Sequence, residues 1–189
     1  NVRSRLMGIP TLIKTLTADD DSSLSFVDGT SDVTLDSTYD EYMFVFTNIN
    51  PATDNATFEF NGSTDGGTNY NVTKTTTMFH AFHNEGDSAT GLAYENSYDL
   101  AQSTSEQVLI AGLGNGSDES GVGIFHLFSP ANTTYVTHFH ATFNGYLSSD
   151  YSHQAFPAGY FNTTSAVDAI QFRMNSGNFD GVIQLFGIS

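Results

Sequence analysis

His138-Phe139-His140 is the pairing most capable of chemistry in this 189-residue chain. Alternate residues of a strand point the same way, so the two imidazoles share a face. Such a pair can chelate a transition metal, and three copies around a threefold axis would present six nitrogens. Tyr135, Phe139, Ala141 and Phe143 form the better core face, which turns the histidines toward solvent, the edge of a second sheet or a subunit interface. A cupin-like metal site needs an acidic ligand a few residues on, and Ala141, Thr142, Phe143 and Asn144 follow instead. The pair is therefore read as ordinary strand histidines, with no metal and no cofactor expected. His80 and His83 are three apart, so on one strand they face opposite ways.

Acidic turns come second. Asp19-Asp20-Asp21, Asp28 with Asp32, Asp65, and Asp118 with Glu119 all fall in turn-like sequence. Calcium needs several oxygens converging in one loop, and no stretch follows the spaced Asp-x-Asp-x-Asp-Gly pattern that ends in Glu. These carboxylates are read as solvated turns. Six Asn-x-Ser/Thr matches, at Asn55, Asn61, Asn71, Asn115, Asn132 and Asn162, are what a chain rich in these residues produces by composition.

Catalytic machinery is not legible. There is no Gly-x-Ser-x-Gly elbow and no Gly-rich phosphate loop with a lysine. Glutamate is scarce, and Glu59 alone lies clearly inside a strand, on its outward side. Trp is absent, which leaves Tyr70, Tyr94, Tyr98 and Tyr151 as the aromatic residues open to stacking on a sugar. The chain is expected not to be an enzyme, and no catalytic, binding or metal-ligating residue is assigned.

The elements that position these residues are strands. Period-two alternation recurs throughout, broken by Gly, Asn, Asp, Ser and Pro clusters, which is the pattern of short antiparallel strands. The expected strands are 12–16, 23–27, 41–50, 57–61, 71–83, 91–96, 108–113, 121–128, 133–146, 152–161, 169–175 and 182–188, with a turn at Asp19–Ser22. Tyr42, Phe44 and Phe46 share one face of the third, and Met43, Val45 and Ile49 the other, so it reads as a central strand covered on both sides. Pro51 should end it. Pro157-Ala158-Gly159 reads as a bulge or corner.

About ten to twelve strands with regular turn signals give an all-β, single-domain antiparallel β-sandwich of the jelly-roll type. Residues 1–21 read as an N-terminal arm or leader with the first short strand, and 22–189 as the sandwich; residues 1–6, which carry Arg3 and Arg5, precede Met7-Gly-Ile-Pro, which reads as a natural start. With 16 Phe and 9 Tyr the chain has the side chains to build a core, and with no Cys it has no disulfide framework.

The formal net charge is −16, from 21 acidic residues against 5 Lys and Arg. Phosphate binding needs a cationic footprint, so nucleic acid is an unfit partner, as is an anionic membrane. No stretch reaches the ~18 apolar residues of a membrane-spanning helix. An acidic surface suits a salty medium, which screens its self-repulsion.

Several stretches carry a resemblance: "LIKTLTADDDSSLSFV" (12–27), "LDSTYDEYMFVFTNINPATDN" (35–55), "FNGSTDGGTNYNVTKTTT" (60–77), "TTYVTHF" (133–139) and "AGYFNTTSAVDAIQFRMNSGNFDGVIQLFGI" (158–188). Together they resemble small virion structural proteins of marine tailed bacteriophages, including those of cyanobacteria. The resemblance implies a β-rich protein on the exterior of the particle, a homotrimer. It would be a capsid decoration (cement) protein bound to the major capsid protein, or a tail-fibre domain that joins other tail proteins and recognises a host surface glycan. As a decoration protein, it would set Arg3, Arg5 and Lys14 of its arm against the capsid.

Overall fold

The structure is a computed structural model and describes residues 8–189. Residues 1–6, expected as a leader and carrying Arg3 and Arg5, lie outside the described residues. All regular structure in the described residues is β: β1 (Thr11–Asp21), β2 (Ser23–Val27), β3 (Glu41–Pro51), β4 (Ala56–Ser63), β5 (Lys74–Asn84), β6 (Thr90–Tyr94), β7 (Gln107–Leu113), β8 (Gly121–Phe128), β9 (His138–Leu147), β10 (Tyr151–Phe161), β11 (Ala169–Met174) and β12 (Phe179–Ile188). The fold is an all-β antiparallel sandwich.

Its topology is that of a jelly roll. Four antiparallel pairs, β1–β12, β2–β11, β3–β8 and β4–β7, form a ribbon that doubles back on itself. Rolling the ribbon adds β12–β3 and β11–β4. The result is two four-stranded sheets, β1-β12-β3-β8 and β2-β11-β4-β7. Two insertions, β5-β6 and β9-β10, widen the first sheet in the order β8-β9-β10-β5-β6. A single bridge, Leu113↔Leu147, links the two sheets at one corner.

Phenylalanine fills the space between the sheets. Phe172 of β11 meets Phe44 and Phe46 of β3 at centroid distances of 5.3 and 4.9 Å. It also contacts Phe26, Phe58, Phe60 and Phe125 at 6.0–6.3 Å. Edge-to-face pairs predominate, as the quadrupole of each ring favours. All seven rings are inaccessible or nearly so, and burying each contributes about 1.5–3 kcal/mol.

Several expectations are corrected. Asp19–Asp21 is not a turn: β1 runs on to Asp21 through an irregularity between Ala18 and Asp21, so the described part of the expected arm is an edge strand on β12. Thr133–Thr137 is not strand, and Tyr135 is 72% exposed rather than core. No bulge forms at Pro157. It pairs with Met78 in unbroken register with β5, and β9 is bridged on either side of it, at Ala155 and Ala158. In β3, the register against β8 shifts between Phe46 and Ile49, and Asn48 takes a φ of 54°. That irregularity turns Ile49 onto the core face with Tyr42, Phe44 and Phe46. Met43 and Val45 stay on the opposite face, half-exposed, so β3 is central but covered on one side only.

Candidate functional site

The outer face of the widened sheet is the feature that sets this molecule apart. Alternation places Met43 and Val45 of β3 there, beside Val122, Ile124 and Phe128 of β8. Through β9 the face continues to Phe156 and Tyr160 of β10, Phe79 of β5, and Leu92 and Tyr94 of β6. Phe79 and Phe156 stack at 4.7 Å with their planes 10° apart. Six of the eight exposed large apolar side chains of the described residues lie on this face: Leu12, Phe79, Leu92, Tyr94, Val122 and Ile124. Soluble monomers rarely expose an apolar patch wider than a few hundred Å².

Charge is distributed in the same sense. The chain has 21 acidic residues. Among the outward positions of β3, β8, β9, β10, β5 and β6, Glu41 is the one carboxylate. It lies 2.5 Å from His126, Oε1 to Nδ1. Four of the six histidines, His83, His126, His138 and His140, lie on this face. The expected sharing of a face by His138 and His140 is what the structure has: both are exposed, and His138 packs against Tyr160 at 5.6 Å. The ring of His140 is 4.8 Å from that of His126. Burial first, and then the charge of His126, lower the pKa of His140, which keeps it neutral.

The area is that of an interface. Strands lie ~4.8 Å apart and an outward residue recurs every ~6.7 Å, so about two dozen outward positions cover about 800 Å². A standard protein–protein interface takes about 800 Å² from each partner.

Sequence reading singled out His138 and His140 but missed His126 and Glu41, which join them only through the β3–β8–β9 register. The available signal was that β3, β8 and β10 each carry apolar side chains on both faces.

The other candidates do not converge. His80 lies on the side opposite His83, 3.9 Å from Glu95 and with its ring 4.6 Å from that of His153. Several of the acidic residues spend their carboxylates on backbone amides. Asp65 accepts from Ser63 Oγ and from Asn69, whose hydrogen bonds lower its pKa to about 2. Asp28 accepts from Leu35 N–H, Glu119 from Gly116 N–H, and Asp180 from Asp20 N–H. Among the described residues no three His, Asp or Glu side chains are grouped to hold a metal. The four tyrosines scatter: Tyr70 lies beside Gly67, Tyr94 donates to Asp99, Tyr98 packs on the core, and Tyr151 lines an open cleft with Glu85, Asn144, Tyr146 and Ser152.

Glu59 lies inside β4 on its outward side, as expected, yet it is largely buried. It lies on the outer face of the smaller sheet, where loops cover it, and its side chain is 12% exposed with Arg173 Nε 3.6 Å away. Burial, and then the charge of Glu106, push its pKa up to about 7. No protein-family model matches the chain, and no curated protein matches it.

Proposed function

We propose that this chain is a structural component of a phage particle, a capsid decoration protein that assembles as a homotrimer and binds the major capsid protein on the outside of the shell. One observation carries the reading: on a chain of net charge −16, an open sheet face gathers exposed apolar side chains and carries a single carboxylate over β3, β8, β9, β10, β5 and β6. Copies of so acidic a protein repel one another elsewhere, so the face poorest in carboxylates is where they can meet. The area matches what a stable association needs. A basic partner surface would instead seek the acidic turns. The sequence resemblance supplies the particle.

Light scattering coupled to size exclusion tests the assembly, with a trimer mass expected; a monomer at micromolar concentration would overturn this use of the face. Genome release on heating tests the role. Particles lacking the protein should be intact and release their genome at lower temperature, and an unchanged release temperature would count against decoration.

A second reading is a tail-fibre domain that binds a host glycan. The cleft lined by Glu85, Asn144, Tyr146, Tyr151 and Ser152 favours it, because amide, carboxylate and hydroxyl groups beside tyrosine rings suit a sugar. Binding on a glycan array, together with blocked adsorption by the purified chain, would select this reading. A high copy number per particle would select the first.

A further inference from the structure

The smaller sheet buries a reactive trio under loops 64–73 and 98–106. In the β4–β7 pairing, Glu59 faces Val108 and Phe60 faces Gln107. The same register carried one residue on sets Glu106 beside Asn61. Lys74, the first residue of β5, comes in over this face. Its backbone exchanges hydrogen bonds with Ser103 in the covering loop. Lys74 is fully buried and Asn61 is 1% exposed.

Lys74 Nζ donates to Asn61 Oδ1 at 2.7 Å, one bond from the carboxamide carbon. The same Oδ1 accepts from the backbone N–H of Gly62 at 2.9 Å. Asn61 Nδ2 donates to the carbonyl of Thr104 at 3.0 Å. Glu106 interacts with the Asn61 side chain, and its Oε2 is buried without a hydrogen-bond partner. Burial makes each charged form costly. It lowers Lys74 to about 8, against the opposing charge of Glu106, and it raises Glu106, against the opposing charges of Lys74 and Arg173.

We infer that Lys74 and Asn61 react with each other to form an intramolecular isopeptide bond, with Glu106 carrying the protons. Lys74 Nζ also donates to the carbonyls of Val72 and Ser105 at 3.2 and 2.6 Å. When the unpartnered Oε2 of Glu106 turns to Nζ, it takes a proton from the ammonium, leaving a neutral amine and a neutral carboxylic acid, the pair that a dry site favours. Nζ attacks Cγ of Asn61, and the negative charge that develops on Oδ1 is met by Gly62 N–H. Glu106 gives its proton to Nδ2 and takes one from the attacking nitrogen. The Nζ–Cγ bond forms, the Cγ–Nδ2 bond breaks, and ammonia leaves. Atoms and charge balance, and nothing is oxidised or reduced. The product ties β4 of the jelly roll to β5 of its insertion, so the widened half of the sheet is locked to the roll. Only the folded chain brings residues 61, 74 and 106 together, so the reaction waits for folding.

Mass spectrometry of the purified chain, fully denatured, tests this. The intact mass should fall short of the sequence mass by one ammonia, and a tryptic digest should yield a branched peptide joining residues 61 and 74. Asn61-Gly62 can also lose ammonia by closing to a succinimide, which hydroxylamine cleaves and an isopeptide bond survives. A full sequence mass, a deficit that hydroxylamine removes, or tryptic cleavage after Lys74 would each overturn the proposal. Lys74→Arg and Asn61→Ala should restore the full mass. Glu106→Gln keeps the size and removes the proton carrier, so the bond should form about a hundredfold more slowly. Formation at the wild-type rate in a folded Glu106→Gln would overturn the role of Glu106, and the wild-type mass stands as a test if that variant does not fold.

Discussion

Glu41 Oε1 and His126 Nδ1 are 2.5 Å apart on the open face of the large sheet, and in that contact the one carboxylate on the outward positions of β3, β8, β9, β10, β5 and β6 finds its partner. The two residues come from β3 and β8, 85 positions apart in sequence. With Glu41 engaged, the rest of the face offers aliphatic, aromatic, hydroxyl, amide and imidazole groups.

A charge placed on this face should therefore break association without breaking the fold. Ile124 is 37% exposed at the middle of the face. Ile124→Asp would bury an unpaired carboxylate in the assembled form, a penalty of several kcal/mol. The expected outcome in light scattering is a monomer, with a far-ultraviolet dichroism spectrum like that of the parent. A variant that stays trimeric would show that copies meet elsewhere.

Acid should destabilise the fold through His153. Burial, and then the charge of His80, lower its pKa to about 4, and its Nδ1 is buried without a hydrogen bond. The folded state thus holds a neutral ring while the unfolded chain takes up a proton near the ordinary value of about 6.5. The group's contribution is complete above about 6.5 and is lost as the pH falls toward 4. Between pH 7 and pH 5 the loss should be about 1–2 kcal/mol in urea unfolding. His153→Phe should flatten that part of the profile.

Glu59 has the opposite sign. Its folded pKa, about 7, lies above the unfolded one, so its contribution is complete below about 4.5 and is lost as the pH rises through 7. Glu59→Gln should unfold at higher urea than the parent at pH 8, by about 1–2 kcal/mol, and lose that advantage at pH 5. An equal difference at both values would place the effect in packing rather than in charge.

Phe172 is the ring that both sheets share. It contacts six other phenylalanines from β2, β3, β4 and β8. Phe172→Ala should cost about 3–5 kcal/mol, the transfer of the ring plus the cavity it leaves. Chemical denaturation measures this directly. A cost below about 1 kcal/mol would mean that the core collapses around the gap.

Most strands were legible because each is a local alternation, and the two sheets inherit it. Phe58 and Phe60 point inward and Ile170, Phe172 and Met174 alternate with polar residues as the pattern requires. The exceptions have local causes that a pattern does not encode. Asn48 at positive φ reverses the phase of Ile49. Pro157, which has no N–H to give, sits where β9 makes no bridge, so it stays in a continuous strand. Of the candidate site, the face shared by His138 and His140 was legible from spacing alone, whereas His126 and Glu41 were not.

The sequence by itself determined an all-β chain with a phenylalanine core, an acidic exterior and no local catalytic motif, because alternation, composition and charge are properties of neighbours along the chain. Only the tertiary structure decided that exposed apolar side chains gather on one open, carboxylate-poor sheet face, and that Lys74, Asn61 and Glu106 meet under the loops. Both depend on register between strands remote in sequence, and register is fixed when the aromatic faces pack, not by the residues that the packing brings together.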